Sequence, residues 1–227
     1  VIATRRARPL LGTLVEIGAW CDDDGRALEA AFAAIAEVQA RLSRFESGSE
    51  VSRFHALPAG AAITLSDDGI AVLQAAAELQ QASGGLFDVT QGSGPAGWCL
   101  QGRQLHKRSS GVRLDLGGIA KGHAVDRAVA ALRSRGIASG WVNAGGDLCA
   151  FGDAELPVRL RDEAGGGVRE FARLSDGAFA TSLLAGRHVS VAAPSCLWAD
   201  ALTKVVALSG DASHPALAAH GARGFVH

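Results

Sequence analysis

Three segments carry residue types at spacings that could do chemistry. In Asp115-Leu116-Gly117-Gly118-Ile119-Ala120-Lys121-Gly122, a short apolar run enters a glycine pair and then a helix start. Bare glycine N–H groups can approach an anion closely, the helix dipole favours negative charge there, and Lys121 adds a mobile cation. The spacing is neither a Walker A loop nor G-x-G-x-x-G. A phosphate site therefore competes with a plain strand–turn–helix that leaves Lys121 in solvent. In Asn143-Ala144-Gly145-Gly146-Asp147, two glycines interrupt an apolar strand. They mark either a bulge with a turn-forming Asp or the close approach of a ligand. In Pro194 to Lys204 (PSCLWADALTK), Asp200 stands in the first turn of an otherwise apolar helix. It could match the helix dipole or serve Mg2+ or Ca2+, which take carboxylate, hydroxyl and backbone oxygens. Lys204 follows at i+4, on the same helix face and at salt-bridge spacing.

These segments need elements to hold them. Leu10 to Ala19 alternates as a strand, and Gly25 to Phe45 places Leu28, Phe32, Ile35, Val38, Leu42 and Phe45 at helical spacing. Ser43-Arg44-Phe45 and Glu50-Val51-Ser52 form a polar helix end and loop. Ser66-Asp67-Asp68 is an N-cap cluster for a helix through about Ser83, stopped by Gly84-Gly85. Phe87-Asp88-Val89-Thr90 follows that stop. Gln91 to Gly111 reads as irregular and Val112 to Leu116 as a short strand. A helix covers Lys121 to Arg135, and a strand with a glycine interruption covers Gly140 to Gly152. Gly165-Gly166-Gly167 turns between two short strands. A strand at Val189 to Ala193, a helix at Ala199 to Ser209 and a short last helix complete the order. Helices and strands mix without βαβ alternation, which predicts an α+β fold.

Composition excludes several classes. The 227 residues carry 22 Lys and Arg against 23 Asp and Glu, so no cationic excess exists for nucleic acid. No apolar run is long enough to span a bilayer. There is no Tyr to act as a phenolic acid, and only Lys107, Lys121 and Lys204 are lysines. Cys21, Cys99, Cys149 and Cys196 are scattered without zinc spacing. The absence of Met implies a processed or trimmed chain, and Arg5-Arg6 near its start has no apolar stretch behind it.

In this order the segments resemble the ApbE family of FAD:protein FMN transferases. The matching residues are Leu11-Gly12-Thr13, Ser43-Arg44-Phe45, Ser49 to Ser52, Phe87 to Thr90, Asp115 to Asp126 (DLGGIAKGHAVD), Asn143 to Asp147 (NAGGD), Ala180-Thr181-Ser182 and Ala199 to Leu202. The resemblance implies a single domain over residues 1–227, with T-fold-related mixed sheets, helices packed on them and two interlocked lobes. It implies FMN transfer from FAD to a Ser or Thr of an acceptor flavoprotein, a redox-chain subunit, with release of AMP and a need for Mg2+, Ca2+ or Mn2+. By the same resemblance Leu11, Ser43, Phe45, Asp88, Thr90, Asp115, Gly117, Gly118, Lys121, Asn143, Ala144, Gly145, Gly146 and Asp147 line the FAD pocket. Gly118, Asp200 and Thr203 would hold the metal, and Asp200, Lys121 and Lys204 would be catalytic. A periplasmic or cell-envelope location is implied, with a removed N-terminal signal as the link to a membrane and the cytoplasm as the alternative.

The departures are specific. The family usually has Thr four residues after the metal-binding Asp, where Lys204 stands here, and Asn at the position of His55. Between Ser182 and Val189 the family has a longer insert containing His-x-x-x-Pro-x-x-Gly, and its Gln91 to Gly111 counterpart is longer. Those loops are either deleted here or missing from the numbered chain. His188 adjoins the gap but belongs to the following strand. Two alternatives to transfer follow: an FAD-binding protein without transfer activity, or a metal-dependent FAD pyrophosphatase giving FMN and AMP. Lys204 should weaken metal affinity or stand in for the cation, unless it only pairs with Asp200 or extends away.

Overall fold

The apolar stripe after Gly25 forms α1 (Arg26–Leu42), whose Leu28, Phe32, Ile35, Val38 and Leu42 are all buried. The structure is a computed structural model that describes residues 2–21, 25–161 and 166–227. Before α1, the predicted single strand is instead a hairpin of β1 (Ile2–Leu10) and β2 (Thr13–Cys21). Leu11 and Gly12 take positive φ of 55° and 71°. Two such residues make the tight turn whose twist suits a two-residue hairpin, so the strand reverses there.

After α1 come α2 (Glu50–Ala56), β3 (Ala62–Thr64) and α3 (Asp67–Ala82). Ser49 and Ser66 cap the two helices by accepting from Ser52 N–H and Gly69 N–H. The Glu50–Ser52 segment is thus a helix, not the predicted loop. The stretch read as irregular contains a hairpin of β4 (Trp98–Gln101) and β5 (Gln104–Lys107), which with β3 makes a three-stranded sheet. Val112–Leu116 joins no sheet. Side chains and a loop carbonyl satisfy its backbone instead: Leu114 N–H donates to His55 Nε2 at 2.8 Å, Arg113 N–H to Ser93 Oγ at 3.0 Å and Asp115 N–H to Val89 O at 2.7 Å. A strand forecast from apolar alternation fails when the backbone finds such partners.

The rest of the chain is α4 (Ala120–Ser134), β6 (Gly140–Ala144), β7 (Asp147–Arg161), β8 (Val168–Leu184), β9 (Arg187–Ala193), α5 (Cys196–Ser209), α6 (Pro215–Ala219) and β10 (Arg223–Val226). The strands flanking the predicted glycine turn are long, not short, and Gly165 of that turn lies outside the described residues. A seven-stranded antiparallel sheet runs β1-β2-β6-β7-β8-β9-β10. Helices α1, α4 and α5 pack on one face over a continuous core that includes Ile17, Val142, Phe151, Ala124 and Val205. On the other face a smaller cluster joins Leu148, Val158, Leu160, Leu174 and Phe179. Separate sheets with helices on one main face make this an α+β fold, as expected.

Candidate active site

The period-2 alternation of β6 and β7 sorts the Asn143–Asp147 segment between two faces. Gly145 and Gly146 are not an interruption within one strand but the turn between β6 and β7, with φ of 63° and 102°. Cross-strand partners share a face, so Asn143 lies opposite Leu148 on the outer side and Ala144 opposite Asp147 on the helix side. Gly145 is required twice over. Its φ is positive, and a Cβ there would meet Thr13 Oγ1 at 2.4 Å.

On the helix side a cleft of about 500 Å3 opens between the β1–β2 turn, the end of α1, the Asp115–Lys121 turn and Gly145. Of the residues that the resemblance assigns to a flavin pocket, Leu11, Ser43, Phe45, Asp115, Gly117, Lys121 and Gly145 line this cleft. Sequence reasoning missed Gln39, whose Oε1 accepts from Leu11 N–H at 2.6 Å and fixes the hairpin turn to α1. A polar residue on the edge of an otherwise apolar stripe is the signal that could have found it. At the cleft mouth Phe45 is 84% exposed, with the Arg44 guanidinium 4.7 Å from its ring centroid.

Other predicted residues lie elsewhere. Asn143 and Gly146 line a separate cavity on the outer face, and Ala144 is fully buried. Thr90 lines an adjoining cavity with Arg44, Phe45 and Asp115. Asp88 does not line the cleft; its carboxylate closes a local turn by accepting from Thr90 N–H, Thr90 Oγ1 and Gly92 N–H. Asp115 Oδ1 likewise takes the Gly117 N–H at 2.9 Å, so that amide is already engaged.

Lys121 sits at the N-terminus of α4, which carries no side-chain cap. Its Nζ lies 2.8 Å from Asp147 Oδ2, yet that buried oxygen has no partner aligned as a hydrogen bond. The distance makes the pair electrostatic, and the misalignment leaves Oδ2 with unused acceptor capacity. Burial, with Asp200 nearby, raises the Asp147 pKa to about 7 despite Lys121. Burial works against the Lys121 charge, but Asp147 and then Asp200 outweigh it and hold its pKa above the ordinary value.

Asp200 is not in the first turn of its helix. The helix α5 starts at Cys196, which places Asp200 a turn further in and fully buried. What reaches its carboxylate is Gly122 N–H of α4, 3.1 Å from Oδ2. A Cβ on Gly122 would lie 2.2 Å from Cys196 O, so only glycine lets the two helices meet this closely. Asp126, the last residue of the Asp115–Asp126 motif, accepts from Cys196 N–H and Leu197 N–H at 2.8 Å each and anchors the start of α5.

Gly118, Asp200 and Thr203 do converge, but around Lys204. Its Nζ lies 2.5 Å from Asp200 Oδ1, 3.1 Å from Asp200 O and 3.0 Å from Thr203 Oγ1. Its stem crosses Gly118, where a Cβ would meet Lys204 Cε at 3.2 Å. Mg2+ binds oxygens at about 2.0–2.1 Å in a near-octahedral shell. Here the oxygens already receive an ammonium, and Thr203 Oγ1 is also bonded to Asp200 O and Ser182 Oγ. A second cation 4 Å from that ammonium would meet a repulsion of ~4 kcal/mol per unit charge at an effective dielectric of 20. The residues present therefore do not fit the divalent ion expected beside them. Among the described residues no cluster of three or more His, Cys, Asp or Glu side chains could hold one either.

The short segment after Ser182 forms the β8–β9 hairpin. Leu184 pairs with Arg187 across Ala185 and Gly186, both at positive φ. In this sequence two residues close the hairpin between Ser182 and Val189. His188 belongs to β9 and lines the outer cavity.

Comparison with known proteins gives a family and a fold. The model of the ApbE family matches residues 11–99 and 94–183. No curated protein matches the sequence significantly. Among solved structures, an ApbE protein from Thermotoga maritima is similar at a TM-score of 0.86 and 21% identity, covering 99% of this chain and 94% of its own. A mutant of the flavin transferase ApbE from Vibrio cholerae gives 0.84 and 22%, covering 100% and 93%. The apo flavinyl transferase ApbE of Pseudomonas stutzeri gives 0.83 and 22%, covering 99% and 90%.

Proposed function

The chain belongs to the ApbE family, and on that premise we propose that it is a flavin transferase that moves FMN from FAD to a Ser or Thr hydroxyl of an acceptor protein. One observation carries the reading: a single cleft has the Lys121 ammonium in its wall and the exposed Phe45 ring in its lining. A diphosphate joined to a flat ring system is a ligand of that chemistry. The acceptor oxygen would bond to the FMN-side phosphorus while the bond to the AMP phosphate breaks. AMP leaves with that electron pair, and the hydroxyl gives up its proton. Such transfers are mainly positioning and charge neutralisation. Lys121, oriented by Asp147, would face the diphosphate, and Phe45 would stack on a ring. Lys204, held by Asp200, would add positive charge from behind Gly118. The acceptor belongs by the same reading to a redox chain in the periplasm or cell envelope.

A second reading, FAD binding without transfer, draws on the closed β8–β9 turn. The turn of this sequence, Leu183 to Arg187, carries no histidine to take the hydroxyl proton. Incubation with FAD and a redox-chain acceptor carrying a Ser/Thr flavinylation site separates the readings. Transfer adds the mass of one FMN to the acceptor and releases AMP in equal amount. Free FMN and AMP with unmodified acceptor would make the chain a pyrophosphatase. Bound but intact FAD would make it a carrier, and either result overturns transfer.

A further inference from the structure

We infer that the Lys204 ammonium is the resident cation of this site, and that the chain binds the FAD diphosphate without a divalent metal ion. The ligand in this statement rests on the function proposed above; the identity of the cation rests on geometry. All three ammonium donors are spent on Asp200 Oδ1, Asp200 O and Thr203 Oγ1. The stem is pinned across Gly118, and the side chain is only 22% exposed. Lys204 is thus neither extended into solvent nor joined to Asp200 by a loose surface contact, because Asp200 is fully buried and held from the other side by Gly122 N–H.

Charge balance points the same way. With Asp147 ionised, Lys121 and Lys204 stand against Asp147 and Asp200, two cations to two carboxylates. With no diphosphate bound, a divalent ion would add an uncompensated double charge to this buried group. Lys204→Thr would take the ammonium away from Asp200 Oδ1, Asp200 O and Thr203 Oγ1, leaving Oδ1 open while Thr203 Oγ1 still donates to Asp200 O; with Asp147 ionised the group then holds one negative charge in excess, which is the environment a hard cation needs. One residue on α5 therefore sets whether the site recruits its cation or carries it covalently. With its donors committed to protein oxygens, Lys204 acts on the diphosphate by charge and not by hydrogen bonding, as a positioning and electrostatic residue.

The test titrates magnesium alone, by calorimetry, into the purified chain and its Lys204→Thr and Lys204→Gln variants, with thermal melting to verify folding. FAD binding is then followed by flavin fluorescence in excess EDTA and in excess magnesium. The wild type should take up no magnesium and bind FAD equally, within about twofold, in both media. Lys204→Thr should gain magnesium binding, lose about tenfold in FAD affinity in EDTA and recover it with magnesium. Lys204→Gln, without the charge, should be weak in both media. Magnesium uptake by the wild type matching that of Lys204→Thr overturns the inference, as does a tenfold or greater magnesium dependence of wild-type FAD binding. If no form binds FAD while only Lys204→Thr binds magnesium, the cation assignment stands and the FAD reading falls.

Discussion

Asp147 lies buried behind the cleft residue Lys121, whereas Phe45 lines the cleft itself. The Asp147 carboxyl is almost wholly buried, and burial raises its pKa from 3.8 to about 7. A carboxyl whose folded pKa exceeds its unfolded value holds its proton more tightly when folded. Its contribution to stability is complete below about pH 4 and is lost as pH rises through about 7. Ionisation also sets a negative charge against Lys121 and the proposed diphosphate. FAD affinity should therefore fall several-fold as pH rises through about 7, and Asp147→Asn should flatten that profile. Fluorescence titration of FAD on both sides of neutrality checks both statements; an unchanged wild-type profile would remove Asp147 from the site. Phe45 is the opposite case, an exposed ring beside the Arg44 guanidinium. Phe45→Ala should weaken FAD binding by about 0.5–1.5 kcal/mol, the range for aromatic stacking, with no change in melting temperature. A drop in melting temperature instead would show that the ring packs on the protein.

At the scale of elements, the site depends on the seam between α4 and α5. Gly122 allows the approach, Gly122 N–H engages Asp200, and Asp126 of α4 anchors the first turn of α5. The Asp115–Asp126 motif thus builds the cleft at its start and aims the opposite helix at its end. Asp126→Ala should cost about 1–2 kcal/mol in urea unfolding, as other lost helix caps do. Asp126→Asn, which keeps one acceptor oxygen, should cost less. Equal losses for the two variants would mean that only one of the two N–H contacts matters. Much of this scale was legible: the stripe of α1, the Ser66 cap and the Gly84-Gly85 stop follow from short-range rules. The β1–β2 and β6–β7 turns were misread because a glycine inside an apolar run signals a reversal or a bulge equally well.

Across the whole molecule, the main core runs unbroken from the helices under the three-stranded sheet to α5 on the seven-stranded one. We expect the chain to fold as one domain, with a single calorimetric transition that FAD shifts upward by linkage, about 2.7 kcal/mol at a hundredfold excess over Kd. Two separable transitions would divide the lobes into independent units. The sequence by itself determined the family, the α+β class and part of the cleft, because motif residues such as Leu11, Ser43 and Asp115 stand in the turns and helix ends that present them. It also singled out Lys204 as an oddity one turn from Asp200. Only the tertiary structure decided what that oddity does. Whether an ammonium reaches solvent, a carboxylate or a cage of three oxygens depends on Gly118 and Gly122, which lie about eighty residues away and meet α5 only through packing. The same holds for Asn143 and Asp147, close in sequence but sent to opposite faces of the sheet by a two-residue turn whose register pairs each with a residue on the next strand.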